Sequence, residues 1–323
     1  MHKLPVGVLG ASGYAGRELC LLVESHPSLE LAFATAHGQR GQNVRVGGRE
    51  ITFIATEEAP LSEAKLVFSA MPHGASLEWT TRARAAGSRA VDLSSDLRPG
   101  HFTPGNGEAA PYGLTELARK EVAGANLVAN PGCYPTSILL ALAPLAREGL
   151  LAPESSIVVN AASGVTGAGY SPKPELLFAE VSEDFRAYGV GNEHRHLTEM
   201  KSFLGTLGAS NDLIFTPHLL PVARGILATI VVELAREVPD VLEPWRAMYD
   251  GEGFVEISAA TPSIRDVVRR NVIRISVARA ANTKRPSLVI TSAIDNLMKG
   301  AAGQALQNAN LMLGLDEAEG LPA

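Results

Sequence analysis

The chain has 323 residues, of which 46% are hydrophobic and 19% charged, with a formal net charge of -6. That composition excludes a disordered chain and leaves room for two domains with their own cores. The acidic balance gives no field for nucleic acid or an anionic membrane, so any phosphate it binds must be gripped locally.

The opening "MHKLPVGVLGASGYAG" meets glycine too early for a signal-peptide apolar region, and no run of about 18 apolar residues follows anywhere. A cytoplasmic protein without a membrane partner is expected. "LPVGVLG" reads as a strand ending in glycine, and "YAGRELCLLVESHP" as a helix with Leu19, Leu22 and Val23 at helical spacing until Pro27. Cys20 lies inside that apolar helix and reads as a core residue. The apolar segments "LELAFATA", "AKLVFSAMP" and "SRAVDLSS" then alternate with polar or helical connections, which predicts a parallel sheet with crossover helices. The first half is therefore α/β and doubly wound.

Gly7, Gly10, Gly13 and Gly16 stand where the first strand hands over to the first helix, the setting of a dinucleotide-binding turn. Gly10, Ala11, Ser12, Gly13, Tyr14, Ala15 and Gly16 are the candidate cofactor-binding residues, with the helix start offering N–H groups to a pyrophosphate. After the second strand, "FATAHGQRGQ" supplies Thr35, His37 and Arg40 and no carboxylate. That favours the 2′-phosphate of NADP over the ribose hydroxyl of NAD.

"NPGCYPTS" places Cys133 ahead of a predicted helix whose first turn holds Pro135. A thiol there feels the helix dipole, which lowers its pKa and favours a nucleophilic thiolate. The helix "SILLALAPLAREG" carries Pro144, which should kink it or end its regular hydrogen bonding. From Ser155 the texture turns β-rich, in "SSIVVNAAS", "DLIFTPHLLPVARGILATIVVEL", "NVIRISVAR" and "SLVITSAI", which predicts an α+β second domain. In "GNEHRHLTEM", His194 and His196 supply a base for the thiol, with Glu199 placed to orient His196. The histidines could also hold a metal, but no third ligand is evident and none is expected. His194 is slightly favoured over His196 as the general acid or base. Leu306, Ala309 and Met312 mark a last helix stopped by Gly314.

In order along the chain, "GASGYAG", "MPHGAS", "VDLSSDLR", "YGLTEL", "NPGCYPTS", "ASGVTGAG", "HRHLTEM", "TPHLLPVARGI" and "IDNLMKGAAGQALQNANLMLGLDE" closely resemble the N-acetyl-γ-glutamyl-phosphate reductase family of arginine biosynthesis, relatives of aspartate-semialdehyde dehydrogenase. The resemblance implies a Rossmann-type NADP domain over residues 1–134, completed by residues 291–323. It further implies an α+β catalytic and dimerisation domain of the semialdehyde dehydrogenase type over residues 135–290, with Cys133 as nucleophile and a homodimer or homotetramer. It also implies that Asn296 bonds the nicotinamide carboxamide. The substrate carries a carboxylate and a phosphate, for which Arg98 and Arg224 are candidates, with Ser163, Gly164 and Thr166 as a hydroxyl and backbone cradle. Lys173 in "YSPKPEL" stands where the family often has an arginine-lysine pair, and its role is left open. A sister family reduces a carrier-bound aminoadipate phosphate in lysine biosynthesis, and Tyr134 and Pro135 favour the arginine-pathway reading over it. A non-catalytic NADP-binding regulator is the reading from another class.

Overall fold

The computed structural model describes residues 2–105 and 107–322. Two compact units emerge, Met1–Gly132 with Ala301–Pro322, and Cys133–Gly300. Residues 291–300, assigned from sequence to the first domain, lie in the second unit, because the strand that holds 291–294 pairs within the second sheet.

The first unit begins with β1 (Leu4–Leu9), α1 (Tyr14–Ser25) and β2 (Leu29–Ala34). Next come a hairpin of β3 (Asn43–Val46) and β4 (Arg49–Thr52), then β5 (Leu66–Ser69), α2 (Ser76–Ala85), β6 (Arg89–Asp92), α3 (Thr115–Ala123) and β7 (Leu127–Ala129). Its main sheet has the order β2-β1-β5-β6-β7 with every pairing parallel. Chain order reverses at β1, whose two neighbours are β2 and β5, so the carboxyl end of β1 is a topological switch point where such sheets bind ligands. Sequence periodicity reveals β1, β2, β5 and β6; the β3–β4 hairpin and the three-residue β7 are too short or too polar to show it. The helix Gly303–Leu313 (α8 in chain order) packs on α1 and α3 in this unit and ends at Gly314, as its spacing predicts.

The second unit runs α4 (Cys133–Arg147), β8 (Ser156–Gly164), α5 (Phe178–Val181), β9 (Arg186–Ala187), α6 (His196–Thr206), β10 (Asp212–Leu220), β11 (Ile226–Glu233), α7 (Glu243–Tyr249), β12 (Val255–Ile257), β13 (Ile273–Arg279) and β14 (Ser287–Ile294). Its seven strands lie in the order β12-β13-β14-β11-β8-β10-β9, a mixed sheet. The central helix α4 is buried along almost its whole length. Pro144 does not end it. Proline removes the N–H that would reach the carbonyl of Leu140, and the Tyr249 hydroxyl donates to that carbonyl at 2.6 Å while Trp245 Nε1 donates to Ala141 at 2.9 Å.

Helix α4 also starts two residues earlier than predicted, at Cys133 instead of Pro135. Proline at its third position is tolerated for the same reason it suits the first, since neither N–H has an intrahelical acceptor.

Candidate active site

In the first unit the glycine turn is built by backbone proximity. Gly10 has φ +76°, and a Cβ there would lie 2.5 Å from the carbonyl oxygen of Ala70. A Cβ on Gly16 would lie 2.3 Å from the carbonyl of Gly10, so α1 can seat against the turn only with glycine at both places. No side chain caps α1 and no acidic residue stands in its first turn, which suits the helix start to an anion.

Thr35, expected beside the cofactor's 2′-phosphate, is tied to the glycine turn. It is fully buried, and its hydroxyl accepts from Gly10 N at 3.2 Å and from Thr56 Oγ1 at 3.1 Å. Its carbonyl accepts from Ala11 N at 2.7 Å. Thr35 thus fixes the glycine turn from behind. His37 and Arg40 are exposed just beyond it, and no carboxylate ends β2. The donor set fits a dinucleotide with an added phosphate.

Arg98 also departs from expectation. Its side chain is buried beside Asp92, with Nε donating to the carbonyl of Asn130 at 2.8 Å and Nη2 to that of Leu93 at 2.6 Å. It ties the end of β6 to the segment after β7. Arg98→Ala is therefore expected to destabilise the protein by about 3 kcal/mol in urea denaturation, through orphaned carbonyls, with an unchanged Michaelis constant.

In the second unit, Cys133 is the half-buried first residue of α4, and Tyr134 beside it is buried. The Tyr134 ring meets His194 edge-on at 5.5 Å between centroids, His196 at 6.1 Å and Phe215 at 5.1 Å. The two histidine rings lie 4.8 Å apart, and the hydroxyls of Tyr134 and Tyr188 are 3.1 Å apart. Burial of its hydroxyl end, joined by the charge of Cys133, pushes Tyr188 up to about 12. The histidine pair and the two phenols thus form one cluster at the start of α4, and the Cys133 thiol is close enough to act electrostatically on both phenols. Asn192 holds the histidine loop, with Nδ2 donating to the carbonyl of Leu213 and Oδ1 accepting from Phe215 N.

The histidines differ. Nδ1 of His194 accepts from the backbone N–H of His196 at 3.2 Å, so the neutral ring carries its proton on Nε2. Burial, with Arg195 adding to it, lowers His194 to about 4. At neutral pH it is therefore an uncharged ring that can donate through Nε2. His196 opens α6 and is buried, and Glu199 lies buried one turn along the same helix face.

The expected cradle of Ser163, Gly164 and Thr166 joins two loops to each other. Gly164 N donates to Gly225 O, and Thr166 Oγ1 donates to Ala223 O at 2.6 Å while accepting from Asn296 Nδ2 at 2.9 Å. Asn296 Oδ1 accepts from Gly225 N at 2.8 Å, so its amide braces these loops in the second unit. Ser163 is buried with its hydroxyl donating to Gly164 O, and Lys173 is exposed. Arg224, in the same loop pair, has Nη1 3.3 Å from Oδ2 of the buried Asp295 and keeps 19% of its side chain exposed. Among the described residues no group of three or more metal-ligating side chains occurs.

The semialdehyde dehydrogenase NAD binding domain matches residues 5–125, and the semialdehyde dehydrogenase dimerisation domain matches residues 133–296. N-acetyl-gamma-glutamyl-phosphate reductase of Geobacter sp. (strain M21) is 41% identical, with 98% of each chain covered. The chain belongs to the N-acetyl-γ-glutamyl-phosphate reductase family. A second member, from Neisseria meningitidis serogroup C, is 40% identical over 99% of this chain and 98% of its own. Aspartate semialdehyde dehydrogenase II from Vibrio cholerae has the same fold, with a TM-score of 0.77 at 20% identity over 97% of this chain and 99% of its own.

Within this family's cluster, sequence reasoning missed Tyr188 and Asp295. Tyr188 carries a signal, an aromatic residue in the glycine-rich "AYGVGNEH" that leads into the histidines. Asp295 carries none, since Asp-Asn before a turn reads as an ordinary cap.

Proposed function

We propose that this chain reduces N-acetyl-γ-glutamyl phosphate to the γ-semialdehyde with release of phosphate, using NADPH, in arginine biosynthesis. The observation that carries this reading is the start of α4, where Cys133 is followed by Tyr134, whose ring meets both His194 and His196, in a chain of this family. The α4 start favours thiolate at Cys133, and His196 takes the thiol proton. The thiolate attacks the acyl carbon, the carbon–oxygen bond to phosphate breaks, and phosphate leaves with the electron pair. A thioester remains on Cys133. Bound NADPH supplies the hydride that this carbonyl accepts. His194 donates Nε2–H to the oxyanion, and His196 returns its proton to give the thiohemiacetal. His196 then removes the hydroxyl proton again, the carbon–sulfur bond breaks, and the aldehyde departs. Glu199 orients His196, and Arg224 binds an anionic group of the substrate.

In the reverse direction, N-acetylglutamate semialdehyde and phosphate should drive NADP reduction, faster than NAD reduction because β2 ends without a carboxylate. Absence of phosphate dependence would overturn the reaction, and a preference for NAD the cofactor assignment. The aminoadipyl analogue should be a poor substrate.

We also infer a homodimer built on the second unit. Strand register sets Ile214, Val158, Val231 and Val289 in one row, partly exposed, across β10, β8, β11 and β14. At the β9 edge, Phe185 stacks on His218, and Leu177, Phe178 and Val190 are exposed nearby in sequence. Such an exposed apolar row suits a subunit contact. Light scattering should return twice the 34.0 kDa of one chain, and a monomer mass would overturn it. No described helix is long and apolar enough to cross a membrane. A cytoplasmic location suits a mechanism that needs a reduced thiol.

A further inference from the structure

Asp295 is fully buried at the end of β14 and accepts four hydrogen bonds. Oδ1 takes the N–H groups of Leu297 at 2.8 Å and Met298 at 3.2 Å, the ordinary use of an aspartate that opens a turn. Oδ2 does something a turn does not require. It takes the backbone N–H of Arg269 at 2.7 Å and Nη1 of Arg224 at 3.3 Å. Arg269 has φ +67°, a conformation that a residue with a side chain holds only when its surroundings fix it.

The main chain of Asp295 faces the nucleophile. Its carbonyl accepts from Gly300 N at 2.9 Å, and a Cβ built on Gly300 would lie 2.9 Å from Cβ of Cys133. One residue therefore holds a guanidinium through its side chain and, through its backbone, the turn against which Cys133 rests.

We infer that Asp295 is a positioning residue that sets Arg224 relative to Cys133, so that the anionic end of the substrate and its reacting carbon are held at one fixed separation. This rests on the reading that Arg224 binds the substrate. Only a carboxylate serves, because both oxygens must accept: an amide would turn an NH2 toward either the Leu297 and Met298 N–H groups or the Arg269 and Arg224 donors.

The test measures kcat and the Michaelis constants for the semialdehyde and phosphate in Arg224→Gln, Asp295→Asn, the double variant and Arg224→Lys, with the rate of Cys133 alkylation by iodoacetamide in each. Arg224→Gln should raise one Michaelis constant at least about tenfold, the size of a lost charged hydrogen bond. Asp295→Asn should raise the same constant by a similar factor with kcat within about threefold, and the double variant should be no worse than Arg224→Gln, as expected for two residues acting as one. Alkylation should stay within about twofold throughout, since the Gly300 contact runs through the main chain. An unchanged constant in Arg224→Gln sinks the substrate-binding reading and this inference with it. A raised constant there beside an unchanged one in Asp295→Asn, or additive losses, sinks the inference alone. Should Asp295→Asn fail to fold, Arg224→Lys decides: it keeps the charge without the planar fork, should match Arg224→Gln, and overturns the inference if it behaves as wild type.

Discussion

Cys133→Ser is expected to lose essentially all turnover while keeping its fold and its affinity for NADPH. The substitution alters one atom at the start of α4, where the helix favours an anion, and a serine hydroxyl has no ionised form to favour there at neutral pH. Thioester formation then fails, and with it the acceptor for hydride. Folding should be unaffected because Cys133 is only half-buried, and the N–H groups of the first turn are the same with either residue. The companion measurement is mass spectrometry after alkylation. Burial pushes Cys20 up to about 12, so iodoacetamide at pH 8 should label Cys133 alone, and activity should fall in step with that single label. Substantial activity in Cys133→Ala would end the mechanism.

His194→Ala is expected to lower kcat by roughly 10²–10³-fold, the usual effect of removing one oxyanion donor, whereas His194→Gln should recover much of that loss. Glutamine offers an amide N–H near the place of Nε2 but cannot carry a proton, so it separates a donor from an acid or base. Equal losses in the two variants would return proton transfer to His194. The pH dependence points the same way. With its folded value lowered to about 4, His194 stays neutral as pH falls from 8 to 5, whereas a ring of ordinary pKa, near 6.5, would gain a proton in that interval. Activity over that range should therefore be shaped by other groups, and ¹⁵N shifts should report a neutral ring protonated at Nε2.

Much of this was legible in the sequence, and the parts that were not share a cause. The β1 turn announces itself because glycine is demanded by contacts only a few ångströms away, in a stretch where apolar period changes from strand to helix. Cys133 and the histidine pair are legible because reactive side chains are few and stand at helix starts. By contrast, Arg98 and Arg224 look alike in a sequence, as charges in glycine- or proline-bearing loops. One is buried on two carbonyls and the other faces a buried carboxylate while touching solvent. Thr35, Thr166 and Asn296 likewise have polar groups whose partners lie 21 to 130 residues away, where no local pattern reaches. Residue type states what a group can donate or accept, and only the fold states to whom.

The proline inside helix α4 carries a consequence for how this family can change. About three turns from the thiol, the proline at 144 leaves the carbonyl of Leu140 without its helical donor, and the phenol at 249 supplies one. Restoring an N–H at 144 would give that carbonyl a second donor, whereas removing the phenol while the proline stays would orphan it. Losing the phenol first is therefore penalised and losing the proline first is not, so lineages should give up the proline before the tyrosine.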